Sequence, residues 1–110
     1  MNNRDAAQIE RIAEEVSFIQ KSVLGKSKEM FLQDELLQRA MTMALITIGE
    51  CANHLSEAFL EQNDEIEWFK IVAVRNIAVH GYWQLNMEQI WQALIDDIPV
   101  LNSFLKGFAL

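Results

Sequence analysis

An all-α, up-and-down antiparallel bundle of four main helices is the fold that this sequence predicts. Three observations predict it. Only one proline and four glycines occur in 110 residues, too little turn material for many short strands. Hydrophobic residues make up 51% of the chain, which supplies a core and excludes a disordered polymer. Apolar residues then recur three and four apart in four successive stretches, the spacing that draws one apolar stripe down a helix. At this length the chain reads as a single domain over residues 1–110.

The first stretch carries Ile9, Ile12, Ala13, Val16, Ile19 and Val23, with Arg11, Glu14, Glu15 and Gln20 between them. Asn3 or Asp5 can cap its start, and Gly25 can close it with a left-handed residue. Lys26 to Lys28 follow as a connector. The second stretch runs from about Asp34 through Leu37, Ala40, Met41, Ala44, Leu45, Ile48, Ala52 and Leu55 to Phe59 without a break. That is a rod of roughly 38 Å at the helical rise. Gly49 interrupts it at a cost of about 1 kcal/mol relative to alanine, so a kink or a close approach by another backbone is expected there. Met43 and Ile46 lie off the main stripe, and a second apolar face suggests self-association.

Asp64-Glu65-Ile66-Glu67 has the spacing of a capping box, which predicts a third helix from there through Trp68, Phe69, Ile71, Val72, Val74 and Ile77. Its β-branched content would suit a strand, but no second strand exists to pair with it. Gly81 ends it. Asn86 and Gln89 form another capping pair and open a fourth helix with Ile90, Leu94, Ile98, Leu101, Leu105 and Phe108. Pro99 inside that helix removes one backbone hydrogen bond and predicts a kink.

The net charge is −7, from 16 acidic and 9 basic residues. A nucleic-acid binder usually shows a basic footprint, and the totals lack one; a local group of arginines can still hold phosphate on an acidic protein. Cys51 is alone, so neither an intrachain disulfide nor a cysteine-based metal site is available. It reads as a small core hydrophobe. His54 reads as an ordinary exposed or hydrogen-bonded residue with no metal ligand at the right spacing beside it. Trp68, Trp83 and Trp91 read as core or interface packing, with base stacking the minority reading. The polar start Met1-Asn2-Asn3-Arg4-Asp5 is no signal peptide, and no window of about 18 uninterrupted apolar residues occurs. A cytoplasmic location is expected, with no membrane partner, no metal and no cofactor.

The stretch from Val74 to Trp83 stands apart, because Arg75, Asn76, His80 and Tyr82 are embedded there in apolar sequence. An arginine buried in such a segment needs a partner. On a helix Asn76 and His80 share a face, so the amide can orient the ring, and the Arg75 guanidinium can swing toward that ring where the helix ends. Two readings stay open on residues alone. One is a reactive site; the other is an arginine paired with Glu50 or another carboxylate plus a histidine at a helix C-terminus.

Arg75-Asn76-Ile77-Ala78-Val79-His80-Gly81-Tyr82 resembles the Arg-x4-His-x-Tyr motif of HEPN-domain proteins of the HepT type. These are ribonuclease toxins paired with a minimal nucleotidyltransferase antitoxin. The likeness extends to Arg39-Ala40, Ile48-Gly49-Glu50, Glu67-Trp68 and Asp97-Ile98-Pro99, and so covers about residues 5 to 105; the octapeptide is its specific part. The resemblance implies a homodimeric all-α bundle whose two motifs face each other across the interface. It implies metal-independent cleavage of RNA, with Arg75 and His80 as the catalytic pair and Asn76 supporting them. Tyr82 then matches the tyrosine that the partner enzyme silences with AMP. Two alternatives use the same fold. One is a non-catalytic module that docks a nucleotidyltransferase or binds a nucleotide; the other is a structural dimer with Arg75 paired to a carboxylate across the interface.

Overall fold

The computed structural model describes residues 1–108, and they are helical with no strand among them. Helix α1 spans Asn3–Val23, α2 Lys28–Leu32, α3 Glu35–Asn53, α4 Glu57–Gln62, α5 Trp68–Ala78, α6 Met87–Gln92 and α7 Ile98–Leu105. Helix α3 packs against α1 and α5, α1 also packs against α7, and α2 packs against α3 and α6. All four expected stretches are helical, but the four-helix count is exceeded because short helices join or divide them.

Helix α1 follows its sequence closely. Ile9, Ile12, Val16 and Ile19 are each no more than 1% exposed, one stripe at the spacing read from the sequence. Its cap is Asn2, whose side chain accepts from the Asp5 amide at 2.7 Å; the expected caps Asn3 and Asp5 lie within the helix. Gly25 follows its end at φ +75°, as a left-handed closing residue should. The expected connector is shorter than read, since Ser27 caps α2. That five-residue helix drops Phe31 fully into the core, its ring 5.2 Å from that of Trp91. Gln38 donates to the carbonyls of Phe31 and Leu32 at 3.0 and 3.1 Å, covering acceptors that the end of α2 leaves open.

The second helix is not continuous to Phe59. Helix α3 starts where expected, with Asp34 capping it by accepting from the Leu37 amide at 3.0 Å, but the helix stops at Asn53 and α4 restarts after Ser56. The break is held from far away in the chain. The buried carboxylate of Asp5 accepts from the Ser56 amide at 2.8 Å and from its hydroxyl at 2.6 Å. Burial pushes the Asp5 carboxyl up, yet these two bonds, together with the positive charges of Arg4 and the N-terminus, outweigh it and hold the group below its ordinary value.

The third helix begins at Trp68, not at Asp64, and Glu67 makes no side-chain cap. The reason is burial. Ile66 is 6% and Trp68 8% exposed, whereas two residues apart on a helix lie roughly 200° around the axis. A non-helical turn points both inward, and the Trp68 indole N–H donates to the Asn63 carbonyl at 3.0 Å. Trp68 then meets Phe59 and Phe104 edge-on, joining α4, α5 and α7.

Pro99 is accommodated rather than merely kinked. Between α6 and α7, Ala93–Asp97 widens into a π-helical turn in which the Ile98 amide reaches the Ala93 carbonyl. Proline cannot donate and crowds the carbonyl four residues back; a π-bulge one turn earlier shifts the hydrogen-bond register around it. Asn86 caps α6 by accepting from Glu88 and Gln89 at 2.9 and 3.1 Å. No helix among the described residues is long and apolar enough to cross a membrane.

Candidate functional site

Gly49 sets the geometry of the site. A Cβ at this position would stand 2.9 Å from both the Arg75 Cβ and the Ile71 carbonyl oxygen. Of the two sequence expectations for Gly49, the close approach is the one realised, with α3 passing unbroken through it. The contact brings α5 down on α3 at the residue before Glu50. Arg75 Nε consequently donates to Glu50 Oε2 at 2.7 Å. The other oxygen, Oε1, lies 3.1 Å from Nε2 of His54, one turn further along α3. Arg4 donates to the His54 carbonyl at 2.9 Å. These contacts hold the Glu50 carboxyl below its usual range, the Arg75 bond first and the His54 bond second.

Arg75 is therefore gripped but not buried. Its side chain is 29% exposed, so the desolvation cost anticipated for an arginine in apolar sequence is reduced, and Glu50 offsets what remains. Its Nη1 donates to Asn76 Oδ1 at 3.1 Å. A guanidinium carries more N–H donors than these two contacts use, and Nη2 has no intrachain partner among the described residues. Glu50 therefore holds the group at Nε and Asn76 at Nη1.

His80 is exposed, and its ring makes no hydrogen bond among the described residues. The expected pairing of Asn76 with His80 does not form. Helix α5 ends at Ala78, the His80 amide bonds back to Ile77 at 3.1 Å, and the Asn76 carbonyl oxygen is already engaged by Arg75. Nor does the guanidinium swing toward the ring; Glu50 has taken it. Gly81 follows at φ +145°, a backbone that side chains rarely tolerate; it was expected to end the helix, which stops earlier, at Ala78 with Val79 as its cap.

Tyr82 is half-buried at the start of a short 3₁₀ turn, Tyr82–Gln84. The Arg39 guanidinium carbon sits 5.5 Å from the centre of its ring, within cation–π range, and Arg39 is also paired with Glu35 at 2.8 Å. Helix α3 thus touches the motif twice, through Glu50 and through Arg39, roughly 16 Å apart at the helical rise. Neither Arg39 on Tyr82 nor the double engagement of Glu50 was read from the sequence. The Glu50–His54 spacing of one helical turn is a signal that points to the second.

Other candidates settle simply. Cys51 is buried, and burial raises its thiol pKa. Among the described residues no three His, Cys, Asp or Glu side chains gather where they could hold a metal ion. A cleft of about 80 Å³ beside α5 and α7, lined in part by Glu67, Lys70 and Asp97, includes none of the motif residues.

Comparison with known proteins converges on one family. The family profile described as "Ribonuclease HepT-like" matches residues 12–108. A candidate RNase of Caldanaerobacter subterraneus subsp. tengcongensis is 33% identical over 98 residues, covering 89% of this chain and 88% of that protein. A candidate ribonuclease HepT of Thermococcus cleftensis is 30% identical over 95 residues, covering 86% of each. No solved structure matches the chain at a significant level.

Proposed function

The chain belongs to the HepT-like ribonuclease family, and from that premise we propose that it is an endoribonuclease toxin acting in the cytoplasm. Arg75 and His80 are its catalytic pair, Asn76 supports Arg75, and Tyr82 is the residue through which it is silenced. The observation that carries this reading is the state of Arg75. Glu50 holds the guanidinium at Nε and Asn76 at Nη1, and Nη2 has no partner among the described residues, with an exposed histidine just beyond the end of the same helix. Nη2 is the donor left to meet a phosphate oxygen.

In the proposed reaction the ribose 2′-oxygen attacks the adjacent phosphorus and the bond to the 5′-oxygen breaks. A base takes the 2′-hydroxyl proton, an acid returns a proton to the departing 5′-oxygen, and positive charge steadies the crowded phosphorus between them. One chain supplies a single motif histidine. A two-fold homodimer brings two imidazoles and two guanidinia into one cleft, which joins assembly to activity. Exposed apolar side chains support such an interface: Phe69 and Ile77 on α5 are 69% and 43% exposed, and Met43 on α3 is 61% exposed. The mechanism uses side-chain groups throughout, so cleavage is expected to persist in EDTA.

Silencing follows from chemistry at Tyr82. A minimal nucleotidyltransferase antitoxin would direct the phenol oxygen onto the α-phosphorus of ATP, releasing pyrophosphate. The attached phosphate and adenosine then exclude RNA by charge and bulk. The Arg39 guanidinium over the ring is a ready counter-charge for that phosphate.

The test is cleavage of single-stranded RNA by the purified protein, with 2′,3′-cyclic phosphate ends as product. Arg75→Ala and His80→Ala should remain folded dimers and lose cleavage. A folded His80→Ala protein cutting at the parent rate would remove the assignment. The acidic balance of −7 favours a second reading, a non-catalytic module that docks a nucleotidyltransferase; a parent protein that binds that partner but cuts no RNA would establish it instead.

A further inference from the structure

Two of the three tryptophans are committed to the core. Trp68 and Trp91 are each 8% exposed and pack on aromatic neighbours. Trp83 is 81% exposed. It stands in the middle of the Tyr82–Gln84 turn, three residues past His80, and the turn is closed by Gln84 N–H to the Gly81 carbonyl at 3.1 Å and Leu85 N–H to the Tyr82 carbonyl at 3.0 Å. Its indole rests on the Gly81 backbone: a Cβ on Gly81 would come within 2.5, 2.6 and 2.7 Å of three ring atoms. The glycine is thus needed twice, for its φ of +145° and for the seat it gives the ring.

A large apolar ring braced on one side and open on the other is a stacking platform. The charge of the chain says what kind of ligand would need it. With 16 acidic against 9 basic residues, the protein gains little from general attraction to a phosphate backbone, which supplies most non-specific nucleic-acid affinity elsewhere. Stacking on a base does not depend on that balance and works for unpaired bases of any sequence. The exposed apolar residues Phe69 and Ile77 lie on α5, whereas Trp83 lies beyond Gly81 on the turn, so two copies can pair along the helix without it.

We propose that Trp83 is the substrate-binding platform on which an unpaired RNA base stacks, setting the adjacent phosphate against His80. The assignment rests on the ribonuclease reading above and adds a substrate preference, single-stranded over duplex RNA. Trp83→Ala and Trp83→Phe remove little packing, because the side chain is mostly in solvent. On a single-stranded oligoribonucleotide, Trp83→Ala should raise KM about 10-fold, which is about 1.4 kcal/mol and within the range for base–aromatic stacking. Its kcat should stay within about two-fold of the parent, and Trp83→Phe should fall between. An oligonucleotide with one abasic site beside the cut should cost the parent a similar factor and cost Trp83→Ala nothing more. An unchanged KM in a dimeric Trp83→Ala protein would overturn the proposal, and so would a variant that has become monomeric, since Trp83 would then belong to the interface. If the parent cuts no RNA, fluorescence decides separately. The quencher-accessible emission belongs to Trp83, so its quenching by the same oligonucleotide sustains the platform without the nuclease, and its absence refutes it.

Discussion

Replacing Gly49 by alanine adds one methyl group at the closest point between α3 and α5. Helix propensity alone predicts a gain of about 1 kcal/mol, since alanine is the better residue in a helix interior. The structure predicts the opposite sign. The new carbon would lie 2.9 Å from the Arg75 Cβ and from the Ile71 carbonyl oxygen, against an ordinary carbon contact of about 3.5–4.0 Å. Neither neighbour is the flexible end of a side chain, so the helices must part by roughly 0.5–1 Å. Overpacking of this kind costs about 1–3 kcal/mol, which cancels the propensity gain at the low end and leaves a net loss of about 2 kcal/mol at the high end. For a domain of this size that lowers Tm by up to about 10 °C. The same displacement stretches the 2.7 Å bond between Arg75 and Glu50 toward the roughly 3.2 Å limit of a useful hydrogen bond. Cleavage assayed well below both melting temperatures should therefore fall, by about 10-fold or more, because misplacement of about 1 Å at a reacting group is costly. Thermal melts and cleavage rates of parent and Gly49→Ala decide the matter together. A variant that melts higher than the parent would show that propensity wins and that the helix contact is not what positions Arg75.

Two further predictions concern carboxylates. Asp5→Asn should destabilise the fold by about 1–2 kcal/mol, the scale of a charged hydrogen-bond pair, and should do so mainly by loosening the α3–α4 corner at Ser56. Because the Asp5 pKa is lowered in the fold, its contribution is fully present above the unfolded value near pH 4 and is lost as pH falls through the folded value. The melting temperature of the parent should drop more steeply than that of Asp5→Asn below about pH 4; parallel curves would mean that Asp5 carries no linked proton. Glu50→Ala should lower kcat by about 10- to 100-fold through misplacement of Arg75, with Glu50→Gln retaining part of the activity because its amide oxygen can still accept from Nε. Equal rates in all three proteins would show that the guanidinium needs no anchor from α3.

The helical stripes were legible in the sequence because a stripe is a local property. Ile9, Ile12, Val16 and Ile19 are buried as their spacing requires, Asn86 caps the helix expected of it, and the second helix starts beside Asp34 as read. Gly49 was legible as a place where something comes close. Less could be read from Asp64 and Glu67, whose spacing fits a capping box while the fold needs Ile66 and Trp68 both inside. The motif itself was legible by type of residue, but the amide-to-imidazole pairing expected of Asn76 and His80 was not realised.

What the sequence determined by itself was the helical class, the apolar faces and the identity of the unusual polar residues, because each depends on neighbours within a turn or two. Tertiary structure alone decided where the long helix breaks, since Asp5 holds Ser56 from 51 positions away. It likewise decided which carboxylate receives Arg75, since Glu50 is 25 positions distant. Such choices follow from how closely two helices can approach, and that distance is set by one missing side chain at Gly49 rather than by any repeating pattern.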